Sequence, residues 1–134
     1  LDNDTIIYIL EDDYIHQENW HKVLYEVFTE LKVEIATLYD HFDKYSNGRY
    51  ENLSSKIYVT KSCHWRAIPS TTNTFALKYG TFMKYIDIFE NIWLDEEKFI
   101  ALLERDIRLV SSIPGYATHC ITDLLSPTKD WSCI

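Results

Sequence analysis

Ile6-Ile7-Tyr8-Ile9-Leu10 runs straight into Glu11-Asp12-Asp13-Tyr14, and the reading of this stretch decides the fold. Consecutive β-prone apolar residues in so short a run cannot cross a membrane. They suit a central strand buried on both faces, as in the parallel sheets of α/β domains. Three carboxylates at the C-terminal end of such a strand stand where open α/β sheets place ligands, and like charges gathered this closely call for a cation or for hydrogen-bond donors. Acidic residues after a strand also commonly cap the next helix or face water, so the rest of the chain must decide between a site and a surface.

The 134 residues, 46% hydrophobic and 15% aromatic, supply apolar mass for one core and too little length for two ordinary domains. One domain is expected, of the α/β class, with a mixed β-sheet flanked by helices. Thirteen basic against twenty-one acidic residues give a formal charge of −8, and no Lys or Arg run forms the stripe that a phosphate backbone requires, which argues against nucleic acid as a partner. Cys63, Cys120 and Cys133 make no CxxC pair and no zinc spacing, and their odd number argues against a disulfide-stapled scaffold. Reduced thiols and a cytoplasmic location are the expectation. No apolar run reaches membrane length, and the start almost directly on a buried-looking strand is what a fragment of a larger protein would show.

Beyond the acidic cluster, Trp20, Val23, Leu24, Val27, Phe28 and Leu31 recur at helical spacing, which predicts an amphipathic helix over 17–32. Residues 33–39 read as a second strand near the first, completing a crossover unit. From 41 to 55 the apolar pattern stops, and Asn47-Gly48 signals a turn in a surface loop. Residues 56–60 and 62–68 then read as an antiparallel pair at one side of the sheet, ended by Pro69. Ser70-Thr71-Thr72-Asn73-Thr74 offers neutral hydrogen-bonding groups to a hydroxylated ligand, or is a simple loop. Helices are predicted over 80–92 and 95–105. Asp95 is placed to cap the second of these, with Glu96 and Glu97 in its first turn. A last short strand spans 109–113, His119 follows as a structural or ligating imidazole, and the tail with Trp131 is expected to drape back over the body.

Taken together, the strand ending in Glu11-Asp12-Asp13, the helix carrying Trp20, the run from Trp65 through Arg66 to Phe75, the acidic Asp95-Glu96-Glu97, and Ile113-Pro114-Gly115-Tyr116-Ala117-Thr118-His119 resemble nucleotide-sugar glycosyltransferases of the GT-A fold, family-2-like enzymes most of all. The resemblance spans Ile6 to Trp131. It implies a partial GT-A, Rossmann-like domain: the second half of the enzyme, without the βαβ nucleotide-binding half that precedes the DxD strand. It also implies a nucleotide-sugar donor and a glycan or other hydroxyl acceptor.

Position by position, Glu11, Asp12 and Asp13 match the DxD-type donor-binding motif, with Glu in place of its first Asp. Asp13 would bind Mn²⁺ or Mg²⁺, joined by His119. Asp95, or failing it Glu96, matches the acid that deprotonates the acceptor. Trp65, Arg66, Thr72 and Asn73 are the expected sugar or acceptor surface, since aromatic faces and neutral polar groups suit carbohydrates. The chemistry is coherent: a divalent cation stabilises charge on a departing phosphate, carboxylates suit such hard cations, an imidazole tilts the preference to Mn²⁺, and a carboxylate activates a hydroxyl. The competing expectation is a non-catalytic carbohydrate- or protein-binding module in which the carboxylates are structural.

Overall fold

The computed structural model describes residues 1–46 and 48–132. Asn47, with the turn expected at Asn47-Gly48, and Cys133 lie outside the described residues. In chain order the elements are β1 (Ile6–Ile9), β2 (Tyr14–His16), α1 (Trp20–Glu30), β3 (Ile35–Thr37), α2 (Asp43–Ser46), β4 (Ile57–Val59), β5 (His64–Ala67), β6 (Phe75–Lys78), α3 (Tyr79–Lys84), α4 (Ile86–Asn91), α5 (Asp95–Leu103), β7 (Leu109–Ile113) and β8 (Ala117–His119), with 3-10 turns at Gly48–Tyr50 and Thr122–Leu124.

The two-residue period of a strand divides the core in two. Ile6 and Tyr8 of β1, with Ala36, Ala76 and Val110 of β3, β6 and β7, face one apolar cluster; Ile7, Ile9, Ile35, Phe75, Leu77 and Leu109 face the other. The first cluster is closed by α1, whose Val23, Leu24, Val27 and Phe28 fall on one side at the 3.6-residue period. Each buried side chain of this kind contributes about 1.5–3 kcal/mol before the conformational-entropy cost, so tertiary burial holds this helix. The second cluster is closed by α4 and α5 through Ile88, Phe99 and Leu102, with Tyr85 between α3 and α4. The result is an α/β fold with a mixed six-stranded sheet, in the order β1-β6-β3-β7-β5-β4, between helical layers.

The order corrects one expectation. β1 is an edge strand, half-buried along its length and paired antiparallel with β6, whereas a central strand buried on both faces was predicted. The strand that displaces it is Phe75-Ala76-Leu77-Lys78, for which no strand was expected. β6 lies between β1 and β3 and is antiparallel to both, so β1 and β3 still run the same way, one strand apart. β3 and β7 form a directly parallel pair. The predicted antiparallel pair appears as β4 and β5, at the far side of the sheet and joined to it through β5 and β7. A separate two-stranded sheet, β2 with β8, was not foreseen.

Two smaller corrections follow from burial. The helix expected over 80–92 is broken at Tyr85, which leaves helical geometry and buries its ring while Met83 on the same stretch stays exposed. The segment expected as a surface loop over 41–55 carries α2 and a 3-10 turn, and Lys44 within it is buried, as is Asp40 just before it. The tail does drape back: Trp131 is buried and donates from Nε1 to the Ser126 carbonyl at 3.0 Å, and Tyr39 donates to the Leu124 carbonyl at 2.6 Å. No helix among the described residues is long and apolar enough to cross a membrane.

Gly115 is required where the tail crosses the β7–β8 connection. A Cβ there would collide with Ser126 Oγ and stand 3.1 Å from Ser126 Cβ, and Ser126 is itself buried. Gly115→Ala is therefore expected to destabilise by about 1–3 kcal/mol, the cost of overpacking, read as a lower midpoint in urea unfolding. An unchanged midpoint would mean that the tail can lift without loss.

Candidate functional site

β1, β3 and β7 point their C-terminal ends to one end of the sheet, where the antiparallel β6 begins. The acidic run leaves β1 at this end, the 70–74 segment enters β6 there, and the first turn of α5 faces both. Glu11 is fastened to that segment by a reciprocal pair. Its backbone N–H donates to Thr74 Oγ1 at 3.2 Å, and the Thr74 hydroxyl donates to Glu11 Oε2 at 3.3 Å. Thr74 is fully buried, with its carbonyl accepting from Thr37 Oγ1 at 2.8 Å. Burial pushes the Glu11 carboxyl above its ordinary range, and the nearby Asp95 charge adds to the rise.

Asp13 and His119 meet across the β2–β8 ladder. Tyr14 stands opposite His119 in register, and the Cys120 N–H donates to the Asp13 carbonyl at 2.8 Å. His119 Nε2 lies 3.1 Å from Asp13 Oδ2. The imidazole packs edge-on against Tyr14, whose hydroxyl shares a 2.7 Å hydrogen bond with Thr72 Oγ1. Asp12 is exposed. Among the described residues no group of three or more His, Cys, Asp and Glu side chains forms an ion site, so Asp13 and His119 stand as a pair. A carboxylate oxygen and an imidazole nitrogen are donor types that divalent cations accept, so Asp13 and His119 are the residues here that could hold one.

Asp95 opens α5 but does not cap it as expected. The capping position is Leu94, and it makes no side-chain capping bond. The Asp95 carboxylate is half-buried, and burial lifts its pKa above the ordinary range while the Lys98 ammonium opposes the lift. Glu96, the alternative acid, is exposed and ion-paired with Arg49. Asp95 and Thr72, with Ser70, Thr71, Tyr50 and His41, line a cleft of about 160 Å³.

Comparison with family models, with curated proteins and with solved structures finds no match for this chain. The site therefore stands on its own geometry.

Of the residues singled out from sequence, Glu11, Asp13, Thr72, Asn73, Asp95 and His119 come together at this end of the sheet. Trp65 and Arg66 do not serve as expected. Trp65 is fully buried, its Nε1 donating to Thr60 Oγ1 at 3.0 Å, so neither ring face is open to a sugar. Arg66 donates to the buried Asp40 at 2.8 Å and stacks over Tyr45, which commits its guanidinium to the fold. The sequence reading missed Lys98, although helical spacing sets it on one stripe with Asp95 and the buried Leu102. It also missed Asp40, a single acid at a strand end with no pattern around it.

Proposed function

We propose that this chain carries the metal- and acceptor-binding half of a nucleotide-sugar glycosyltransferase. The observation that carries the reading is the meeting of two separate acidic elements at one end of the sheet: the Asp13–His119 pair on the β2–β8 ladder, and Asp95 facing Glu11 beside a hydroxyl-lined cleft. Asp13 and His119 would hold the cation between them. Bound there with the donor diphosphate, Mn²⁺ or Mg²⁺ would stabilise the negative charge of the leaving phosphate.

The chain's own residues then divide the remaining work. The acceptor hydroxyl enters the cleft and gives its proton to the ionised Asp95 as its oxygen bonds to the anomeric carbon. The bond from that carbon to the phosphate oxygen breaks, and the diphosphate leaves with the electron pair. Glu11, held by Thr74, would meet hydroxyls of the donor. The neutral groups of Thr72 and Ser70 suit a glycan acceptor. The outer edge of β1 carries no strand among the described residues, and a preceding βαβ nucleotide-binding half would continue the sheet there.

The test is calorimetry of Mn²⁺ and a nucleoside diphosphate, separately and together, on the full-length protein and its Asp13→Ala and His119→Ala variants. Each ligand is expected to tighten the other by about fivefold or more, and Asp13→Ala is expected to abolish that coupling. Independent binding of metal and nucleotide would instead favour a non-catalytic module, and equal donor turnover in wild type and Asp13→Ala would remove Asp13 from the reaction.

A further inference from the structure

One cation in the site has no task in this scheme. Lys98 follows Asp95 by one turn of α5 and is only 7% exposed. Its ammonium donates to Asn73 Oδ1 in the 70–74 segment, and it interacts electrostatically with both Asp95 and Glu11. A lysine that serves only to cover apolar surface keeps its charged head in water. Lys98 instead takes its charge inside, where an ammonium is costly unless anions face it.

We propose that Lys98 is a positioning residue for the general base: its buried ammonium, one turn along α5 from Asp95, supplies the counter-charge of that carboxylate and, through Asn73, holds the 70–74 segment along the acceptor cleft. The proposal rests on the reading of Asp95 as that base. Burial works against the ionised form of Asp95, and Lys98 is the charge that opposes it. Lys98 is itself pulled toward neutrality by burial, against which the Asp95 and Glu11 carboxylates hold the proton on. The other charged groups around the cleft are engaged with one another: His41 and Lys44 with Asp43, and Arg49 with Glu96. Lys98 is thus the buried ammonium that stands one turn along α5 from the base and bonds the neighbouring segment at Asn73.

The experiment compares Lys98→Met, which keeps the stem and removes the charge, with Lys98→Arg, which keeps the charge. The Asp95 carboxyl is titrated by carbon NMR in the ligand-free protein, and transfer is measured across pH. In Lys98→Met the Asp95 midpoint is expected to move up, and kcat at the acid end of the profile to fall about tenfold with donor KM unchanged. Lys98→Arg should recover most of this. An Asp95 midpoint that stays put in Lys98→Met overturns the proposal, as do equal losses in the two variants. Should Lys98→Met fail to fold, Asn73→Leu tests the second role: acceptor KM is expected to rise about tenfold with donor KM unchanged, and an unchanged acceptor KM overturns it. The titration needs neither donor nor metal. Absence of transfer by the wild type would therefore defeat the functional reading alone and leave the Lys98–Asp95 coupling to be judged by the midpoint.

Discussion

Asp95→Asn is expected to lower sugar transfer by about 10²–10⁴-fold, the usual contribution of a positioned general base, while the affinity for nucleoside diphosphate and Mn²⁺ stays within about twofold. Asparagine keeps the shape and cannot take the acceptor proton. Stability separates this role from a structural one. Because the folded-state pKa of Asp95 is raised, its carboxyl favours the folded state fully only below the unfolded pKa, and that contribution is lost as pH rises through the folded pKa. At neutral pH the wild type therefore bears the penalty of a half-buried anion, and Asp95→Asn should melt at the same temperature or higher, with the difference shrinking in acid. A capping residue would behave in the opposite way, losing about 1 kcal/mol on replacement. A lower Tm together with normal transfer would return Asp95 to a purely structural role.

Asp40→Ala carries the largest expected effect on stability, about 3–5 kcal/mol, the cost of leaving a buried charge without its partner. Asp40 is fully buried three residues beyond β3 and gathers three donors: Arg66 Nη2 at 2.8 Å, the Tyr45 hydroxyl at 2.6 Å and Thr128 Oγ1 at 3.0 Å. These donors come from β5, α2 and the tail, so one carboxylate ties three segments to the central strands. Burial raises its pKa while the donors hold it down. Removing it leaves the Arg66 guanidinium enclosed without an anion. The measurement is equilibrium urea unfolding, and the companion variant Arg66→Met at Asp40→Asn should recover part of the loss, since removing both charges is milder than removing one. A change below about 1 kcal/mol for Asp40→Ala would show that water reaches Arg66 freely.

How much of this was legible in the sequence depended on the kind of signal. α1 and α5 were readable because Val23, Leu24, Val27 and Phe28, and Phe99 and Leu102, repeat at the helical period, and burial follows that period directly. β4 with β5, and β7, were readable from β-rich runs bounded by turn residues. The position of β1 was not. Ile6-Ile7-Tyr8-Ile9 is apolar on both sides because helices cover both faces of the sheet, and that says nothing about how many neighbours the strand has along its edges. β6 escaped because Phe75-Ala76-Leu77 is short and directly continuous with α3. In the site, the acids were found because clustered carboxylates are conspicuous in any sequence. Trp65 was misjudged for the complementary reason: an aromatic residue beside a polar run reads alike whether it faces a ligand or the core, and only the pairing of β5 with β7 decides which.

The β2–β8 ladder has a consequence for the Asp13–His119 pair. Asp13 and His119 are far apart along the chain, yet Tyr14 pairs with His119 and the Cys120 amide bonds the Asp13 carbonyl. Their separation is therefore written into the backbone, and the chain entropy of bringing them together is lost during folding, before any ligand arrives. The contact between the two side chains thus depends on how firmly the six residues of this ladder, about 3.3 Å of chain each, hold their register.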